Sequence, residues 1–332
     1  MTVTAKTIAR ELQLSQPTVS RILSGDPRHR VSPQTKQRVL DTARRLGYQP
    51  NAVARSLRRG RTGIVGLYTN HDYDARNDFL GTIIGALQRC CEARDLDLLL
   101  HSGRGGRSAE EIYAKLRDGR VDGLILHANA DDPLAEMLSR SPLPVVTVAD
   151  RLPFLPGVTC DDAGGIRLAL AHLQERGLRR FVFLAPEEQL TSVERRREAF
   201  ESEMALAGVP ASDWTVLRVA EDGYEAALAR IQTFAPPCAA VCWCDRAAYR
   251  LLRVCRDLEI AVPETLSVTG FDGLLSDMVP AWDLVTVSCP WEEAAAQALD
   301  LLMTLVEDTP ETLTRRKEIC LPVRLCLGNT VR

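Results

Sequence analysis

From residue 64 onward, short apolar runs alternate with amphipathic helical segments, and no other feature of the sequence restricts the fold as strongly. The runs with strand character read IVGLY, DLLLH, VDGLILH, VVTVA, RFVFLA, TVLRV, AAVCWC and LSVTGF in chain order. Helical periodicity lies between them, at about 78–92, 109–118, 161–176, 192–207, 222–234, 245–258 and 291–307. This rhythm predicts an α/β core with doubly wound parallel sheets that helices cover on both faces.

The alternating part is longer than one doubly wound sheet normally requires. We therefore predict two similar lobes within a core of residues 63–332. The N-lobe is expected at about 63–160 and 290–320, and the C-lobe at about 162–288 and 322–332. Such lobes leave a cleft at the carboxyl ends of their strands, where open α/β sheets bind ligands.

The first 62 residues differ from the rest in charge. They contain 13 Lys or Arg residues and three acidic residues, a formal charge of +10, whereas the remaining 28 basic and 41 acidic residues give −13. A basic head on an acidic body indicates a polyanionic partner for the head alone. A solvated charged surface is the alternative.

Residues 1–49 contain the start signals of three short helices. Thr4, Ser15 and Ser32 are each suited to cap the start of a helix. Prolines follow at Pro17 and Pro33, in first turns where a missing N–H costs little. Two helices joined by LQLS and followed by a third predict an all-α helix-turn-helix domain.

The second helix, in the stretch SQPTVSRIL, places its apolar residues Val19, Ile22 and Leu23 on one stripe. Its polar side chains are the candidate DNA contacts. Ser15, Thr18 and Ser20 suit phosphate oxygens, Gln16 and Arg21 are long enough to reach bases, and Pro17 contributes shape or a thymine-methyl contact. A three-helix interaction module is the alternative.

The segment 50–62 connects head and core. It has the length for about two helical turns, Asn51 to Leu57, before glycine interrupts it. A helix this short is marginal alone in water, so its order depends on a partner.

Three stretches together resemble one known family. TAKTIARELQLSQPTVSRIL, RVSPQTKQRVLDTARRLGYQPNAVARSLRRGRTGIVGL and LSVTGFDG look like the LacI (lactose repressor) family of bacterial transcription regulators. The resemblance implies two lobes of periplasmic-binding-protein-like type and a homodimer, or a dimer of dimers, on a near-palindromic operator. The absence of a leucine heptad after residue 326 favours the dimer.

The resemblance also implies roles for particular residues. Gln16, Pro17 and Arg21 read bases, and the segment 50–62 becomes a hinge helix whose Leu57 wedges into the minor groove. The full set of expected DNA contacts is Thr4, Ser15, Gln16, Pro17, Thr18, Ser20, Arg21, Arg30, Ser32, Asn51, Ala54, Leu57 and Arg58.

The head departs from the family pattern at two places. Gln13 occupies a turn position that usually holds glycine, which predicts a side chain in the left-handed conformation. The loop SGDPRHRVS is longer than in the lactose repressor, which affects the phosphate contacts expected of Arg30 and Ser32.

In the core, Asp150, Arg196, Asp245 and Asp272 each follow a predicted strand or open a helix, as residues of a ligand cleft do. The resemblance matches Arg196, Asp272, an aromatic at Tyr224 and Phe79 to effector contacts of the family. Carboxylates and an arginine around an aromatic face suit a polyhydroxyl ligand. For Arg196, Asp245 and Asp272 the alternative is helix capping or salt bridging between lobes, and for Asp150 it is a structural pair with Arg151.

Two features of the sequence bear on the chemical class of the effector. Cys244 stands where the family often has asparagine, so a hydrogen bond to a sugar hydroxyl is missing. The cluster ERRRE at 194–198 suits an anionic ligand such as a phosphorylated or acidic sugar, but Arg195 and Arg197 are expected to point to solvent.

The sequence predicts a DNA-binding transcriptional repressor that a small carbohydrate-like effector controls; a regulator that answers to a protein partner, or to no ligand, is the alternative. No nucleotide-binding or catalytic motif occurs, so an enzyme is not expected. No cofactor or metal is expected either, because Cys238, Cys242 and Cys244 lack ligand spacing. Without a signal peptide or membrane span, the chain is expected to be cytoplasmic.

Overall fold

A computed structural model describes residues 3–24, 31–49, 56, 60–69, 78–102, 106–129, 132–152, 154–188, 190–220, 222–274, 283–307 and 318–332. The chain forms two compact units, Met1–Gly63 and Ile64–Arg332.

The described part of the first unit is helical, with α1 at Ala5–Leu12, α2 at Gln16–Leu23 and α3 at Pro33–Arg45. The three predicted caps are confirmed. The hydroxyls of Thr4, Ser15 and Ser32 accept hydrogen bonds from the backbone N–H groups of Thr7, Thr18 and Thr35. Each cap satisfies one N–H that the helix itself leaves unpaired, so local sequence fixes where each helix begins.

The three helices enclose a small apolar core. Ile8 and Val19 are fully buried, and Val39 joins them from α3. The turn after α1 confirms the expectation at Gln13, which has a φ of 56° and a ψ of 38°. A non-glycine residue in this conformation costs about 1 kcal/mol, which packing of the three helices offsets.

The described second unit alternates strands and helices. The strands are β1 Ile64–Thr69, β2 Asp97–Ser102, β3 Gly123–His127, β4 Val145–Val148, β5 Gly157–Cys160, β6 Phe181–Pro186, β7 Trp214–Val219, β8 Cys238–Cys242, β9 Leu266–Asp272, β10 Val285–Ser288, β11 Glu318–Leu321 and β12 Arg324–Cys326. The helices are α4 Asp78–Glu92, α5 Ala109–Leu116, α6 Pro133–Ser139, α7 Asp162–Glu175, α8 Thr191–Leu206, α9 Tyr224–Ile231, α10 Asp245–Asp257 and α11 Trp291–Glu307.

The strands form two six-stranded sheets, ordered β11-β5-β4-β3-β1-β2 and β12-β10-β9-β8-β6-β7. We call the first sheet with its helices α4–α6 and α11 the first lobe, and the second sheet with α7–α10 the second lobe. The predicted α/β class with two doubly wound sheets is confirmed. One edge strand departs from the parallel arrangement, because β12 pairs antiparallel with β10.

The chain crosses between the lobes three times, after β5, after β10 and between β11 and β12. Sequence analysis did not identify β5, β10, β11, β12 or α6. These elements have three to seven residues each, too few for a clear period.

The strand order places a switch point in each lobe. In the first sheet β1 lies between β2 and β3, and in the second β6 lies between β7 and β8. Helices that follow neighbouring strands leave on opposite faces at such a point, which opens a crevice at the carboxyl ends of the strands. Beneath it, Phe181 and Phe183 on β6 are fully buried, and the ring centroids of Phe183 and Phe200 lie 5.4 Å apart.

Candidate functional site

A cavity of about 720 Å³ opens between the two lobes at the carboxyl ends of their strands. All six side chains that the sequence suggested for a ligand cleft line it: Phe79, Asp150, Arg196, Tyr224, Asp245 and Asp272. They come from both lobes and from positions nearly 200 residues apart in the chain. Tertiary structure therefore brings the whole set together in one place.

Arg196 is the central cation at the base of the cleft and is only 3% exposed. Its guanidinium donates to Asp162 at 2.7 Å, to the Trp243 carbonyl at 2.6 Å and to Asp272 at 3.3 Å. It also lies 3.7 Å from the centroid of the Phe271 ring. All three guanidinium nitrogens thus donate to groups of the protein. Both ion pairs lie within the second lobe, so they are not the salt bridge between lobes that the sequence left as an alternative, and Arg196 also lines the cleft.

Asp272 ends β9 and lines the cleft beside Arg196. Burial raises the pKa of Asp272 to about 7, and the nearby carboxylate of Asp162 adds to the shift, although Arg196 opposes it. Its φ of 110° is one that side chains seldom adopt. Such a conformation costs about 1–3 kcal/mol and is characteristic of binding sites. Near neutral pH this carboxyl can therefore either accept or donate a hydrogen bond.

Asp245, the first residue of α10, is also buried, but its oxygens are engaged. One oxygen accepts from the Leu274 backbone N–H at 2.7 Å, and the other accepts from the hydroxyl of Thr286. Burial raises the pKa of Asp245 well above its usual value, and Asp272 adds to the shift. This carboxyl chiefly anchors the turn that follows β9.

Asp150 follows β4 in the first lobe and is 3% exposed. It accepts a 2.9 Å hydrogen bond from the Ser192 backbone N–H, and His127 Nε2 lies 3.5 Å from its other oxygen. Burial raises the pKa of Asp150 above its usual value. Arg151 pairs with Glu318 at 3.1 Å, which argues against the alternative of a structural pair between Asp150 and Arg151.

Aromatic side chains form the walls of the cleft. In the first lobe, the Phe79 ring lies 4.8 Å from that of Trp291 and 5.1 Å from that of His127. In the second lobe, Arg250 lies 6.0 Å over the Tyr224 ring. The buried Trp291 Nε1 has no hydrogen-bond partner among the residues that the structure describes. Flat apolar surfaces on both lobes suit the C–H faces of a small ring.

The expectation that Arg195 points to solvent is wrong. Arg195 donates to Asp162 at 2.8 Å and to the Ala149 carbonyl at 3.2 Å. Arg197 forms ion pairs with Glu194 at 2.7 Å and with Glu201 at 2.6 Å, and both glutamates lie on α8 as well. Neither side chain lines the cleft.

Cys244 lies in the cleft wall and caps α10, because its sulfur accepts the Ala247 N–H at 3.4 Å. Burial raises the pKa of Cys244, so the thiol stays neutral. A buried, neutral thiol in this role is a poor partner for a ligand hydroxyl.

Sequence analysis missed several residues of the cleft wall, among them His127, Trp243, Trp291, Arg246, Tyr249, Arg250, Arg253 and Arg256. Signals for two groups were present. His127 ends the strand candidate VDGLILH, and the next strand candidate along the chain, VVTVA, leads to Asp150. The four arginines recur at spacings of four, three and three residues along α10. That spacing marks one helix face, but only the fold shows that the face borders the cleft.

In the first unit, the side chains of Gln16, Pro17 and Arg21 on α2 are exposed, whereas Ser20 and Thr18 are partly buried. The hydroxyls of Thr4, Ser15 and Ser32 serve as caps. The expected contacts at Arg30, Asn51, Ala54, Leu57 and Arg58 lie outside the described residues.

Comparisons with known proteins agree with this arrangement. Residues 4–51 match the model of bacterial regulatory proteins of the lacI family, and residues 170–331 match a periplasmic binding protein-like domain. An HTH-type transcriptional regulator of Mycolicibacterium smegmatis is 30% identical over 332 residues, covering 90% of this chain and 89% of its own. The transcriptional regulator GalR of Escherichia coli is 29% identical over 342 residues, covering 96% of each chain.

Two solved structures share the fold across nearly the whole chain. A complex of the transcriptional regulator CelR with cellobiose is 26% identical with a TM-score of 0.71, and it covers 99% of each chain. A lac repressor dimer bound to operator and an anti-inducer has a TM-score of 0.85 at 19% identity, with 99% coverage of each chain. Within the described ranges, no helix is both long and apolar enough to cross a membrane.

Proposed function

The chain belongs to the LacI family of bacterial regulatory proteins and is a DNA-binding transcriptional regulator, and from that premise we propose that it is a cytoplasmic repressor whose operator affinity a small carbohydrate-like effector controls. In this proposal the effector binds between the two lobes. The chain acts as a homodimer on a near-palindromic operator, and it has no catalytic activity.

The cleft carries the proposal. Two buried carboxyl groups, Asp150 and Asp272, line a cavity of about 720 Å³ that also has aromatic walls from both lobes. Carboxylate oxygens accept hydrogen bonds from sugar hydroxyls, and aromatic faces pack against the C–H surface of a sugar ring. The cellobiose complex of CelR supports a sugar as the class of ligand.

The DNA contacts follow from α2. Gln16, Pro17 and Arg21 are exposed on a helix of a strongly basic head. In a helix-turn-helix the start of the second helix meets base edges in the major groove, where a guanidinium fork fits guanine. Leu57 and Arg58 complete the proposal as minor-groove contacts of a hinge helix, on the family resemblance alone.

Control by the effector requires that it bind one arrangement of the lobes better than another, because equal affinity for both shifts nothing. In the arrangement described here, the carboxylate of Asp150 in the first lobe accepts a hydrogen bond from the Ser192 backbone N–H in the second lobe. A ligand hydroxyl that binds Asp150 competes with or reinforces this contact, and either effect alters the balance between open and closed lobes.

Selection of bound duplexes from a random DNA pool tests the first half of the proposal, since it identifies the operator directly. Calorimetry of the full chain against a panel of sugars, followed by operator release in a gel-shift titration, tests the second. We expect an enriched near-palindrome and at least one sugar that changes operator affinity. A protein that shows operator binding but no response to any sugar favours the alternative, control by a protein partner.

A further inference from the structure

A second cavity, smaller than the cleft, lies in the first lobe. Its walls come from the edge strand β2, from α5 and from the segment just before α5. The lining side chains are Leu100, His101, Arg107, Ile112, Lys115 and Leu116, and this set does not overlap with the residues of the cleft. The volume of about 160 Å³ corresponds to about five water molecules, so a small ion of a few heavy atoms fits.

The two sides of this cavity differ in chemistry. Ile112 and Leu116 of α5 are buried, whereas Arg107 and Lys115 are exposed. The cavity is therefore apolar on its buried side and positively charged on its exposed side. A concave surface with charge of one sign and an apolar wall concentrates the electric field and attracts ions of the opposite sign.

His101 on β2 supplies a buried polar atom to the cavity. Its Nε2 is shielded from solvent and forms no hydrogen bond with the described part of the chain. Buried polar atoms in folded proteins nearly always have a hydrogen-bond partner, from the protein or from a bound molecule. A neutral imidazole that carries its proton on Nε2 can donate it to an oxygen.

Positive charge surrounds the His101 ring. Burial lowers the pKa of His101, and Arg120 and Lys115 lower it further, because they disfavour another positive charge nearby. Asp118 opposes this effect, but its carboxylate pairs with Arg120 at 2.6 Å. Among the described residues that line the cavity, none is acidic. A water molecule would satisfy Nε2, but only an anion would also offset the positive charge.

We propose that this cavity binds a small oxyanion of the phosphate type through His101, Arg107 and Lys115. The ring N–H and the two cationic side chains donate hydrogen bonds to the oxygens of the anion, and bonds that involve ionised groups are stronger than neutral ones. The anion is a free ion or the phosphoryl group of a small ester. Because the cavity shares no lining residue with the cleft, this site is independent of the effector proposed above.

Calorimetry and thermal unfolding of the full chain with inorganic phosphate at constant ionic strength test the site. We expect a dissociation constant below about 1 mM. We also expect a Tm that increases with phosphate concentration, since a ligand of the folded state stabilises it. Matched NaCl should have neither effect. Methyl phosphate distinguishes the two sources of the anion: it binds as inorganic phosphate does if the site accepts an ester, whereas only the free ion binds if it does not.

Variants of the lining residues locate the anion. Arg107→Gln and Lys115→Gln should each weaken phosphate binding by about tenfold, and His101→Ala by at least as much. Since Arg107 and Lys115 are exposed, their replacement leaves the core intact. His101→Gln restores a side-chain N–H and should bind phosphate more tightly than His101→Ala.

Two further variants serve as matched controls. Arg230→Gln removes an exposed arginine of α9, and Arg250→Gln removes one that lines the cleft. Both should keep the phosphate affinity of the wild type. Circular dichroism confirms that each variant is folded.

Three results would overturn the proposal. Heats and a Tm no different from those in matched NaCl would show that the cavity holds water only. Wild-type phosphate affinity in Arg107→Gln, Lys115→Gln and His101→Ala would place the anion elsewhere on the chain. An equal loss of affinity in Arg250→Gln would place it in the cleft.

Discussion

Asp150 of the first lobe caps a helix of the second: its carboxylate accepts a 2.9 Å hydrogen bond from the backbone N–H of Ser192 in the first turn of α8. The residue in the cap position of that helix is Leu190, which has no side-chain oxygen to offer. A carboxylate at a helix N-terminus also interacts favourably with the helix dipole. One side chain therefore connects the lobes and borders the cleft at the same time.

Replacing Asp150 with alanine should free the start of α8. We expect the Ser192 amide to exchange with deuterium at least several-fold faster in Asp150→Ala, because its only described acceptor is removed. Asp132→Ala is the matched control, since Asp132 caps α6 within the first lobe by accepting the Leu134 N–H at 2.9 Å. Unchanged exchange at Ser192 in Asp150→Ala would contradict the contact.

The pKa of about 7 at Asp272 makes the stability of the fold depend on pH. The unfolded carboxyl has an ordinary, lower pKa, so between the two values the folded protein holds a proton that the unfolded chain has released. Raising the pH across this interval destabilises the folded state. Wild type should therefore lose about 2 kcal/mol relative to Asp272→Asn between pH 5 and pH 8.

Urea unfolding of both proteins at several pH values measures this difference. Charged or titratable groups near Asp272 are Arg196, Asp162, Asp150, Asp245, Cys244 and Cys289, and all are kept in the variant. A difference in unfolding free energy that does not vary with pH would argue that Asp272 is ionised throughout.

Arg196→Met should destabilise the second unit by about 3–5 kcal/mol, because Asp162 and Asp272 would lose a buried counter-charge. Arg197→Met is the control: Arg197 sits in a partly exposed ion-pair network on the same helix, and its loss should cost about 1 kcal/mol or less. Thermal or urea unfolding measures both. Similar losses for the two variants would show that Arg196 is not the central cation of the cleft.

Arg21→Ala should weaken operator binding by about 1–3 kcal/mol and relax the base preference at one position of each half-site. Arg44→Ala removes the same charge from α3, where Arg44 is exposed and pairs with Asp41, so it should lower affinity for all DNA evenly. Gel-shift titration against the operator and single-base variants separates the two effects. An even loss for Arg21→Ala as well would assign it to phosphate contact.

Sequence alone predicted much of the architecture because it is encoded locally. The caps at Thr4, Ser15 and Ser32 depend on residues only three positions away, and the longer strands and helices show clear periods. Short elements such as α6 and β12 escaped prediction, since a few residues carry no reliable period. The antiparallel direction of β12 follows from the chain returning across the cleft, which no local signal records.

For the cleft, too, the sequence determined only part of the arrangement. Residue type and position at strand ends identified Asp150, Arg196 and Asp272, but only the folded chain decided which groups their side chains bind. Arg195 looked solvent-exposed because its sequence neighbours are charged, yet Asp162, more than 30 residues earlier, lies against it. Partners across the lobes, the burial that raises the pKa of Asp272 and the alignment of arginines with the cavity all arise from tertiary packing, because charge interactions depend on distance in space and on exclusion of water.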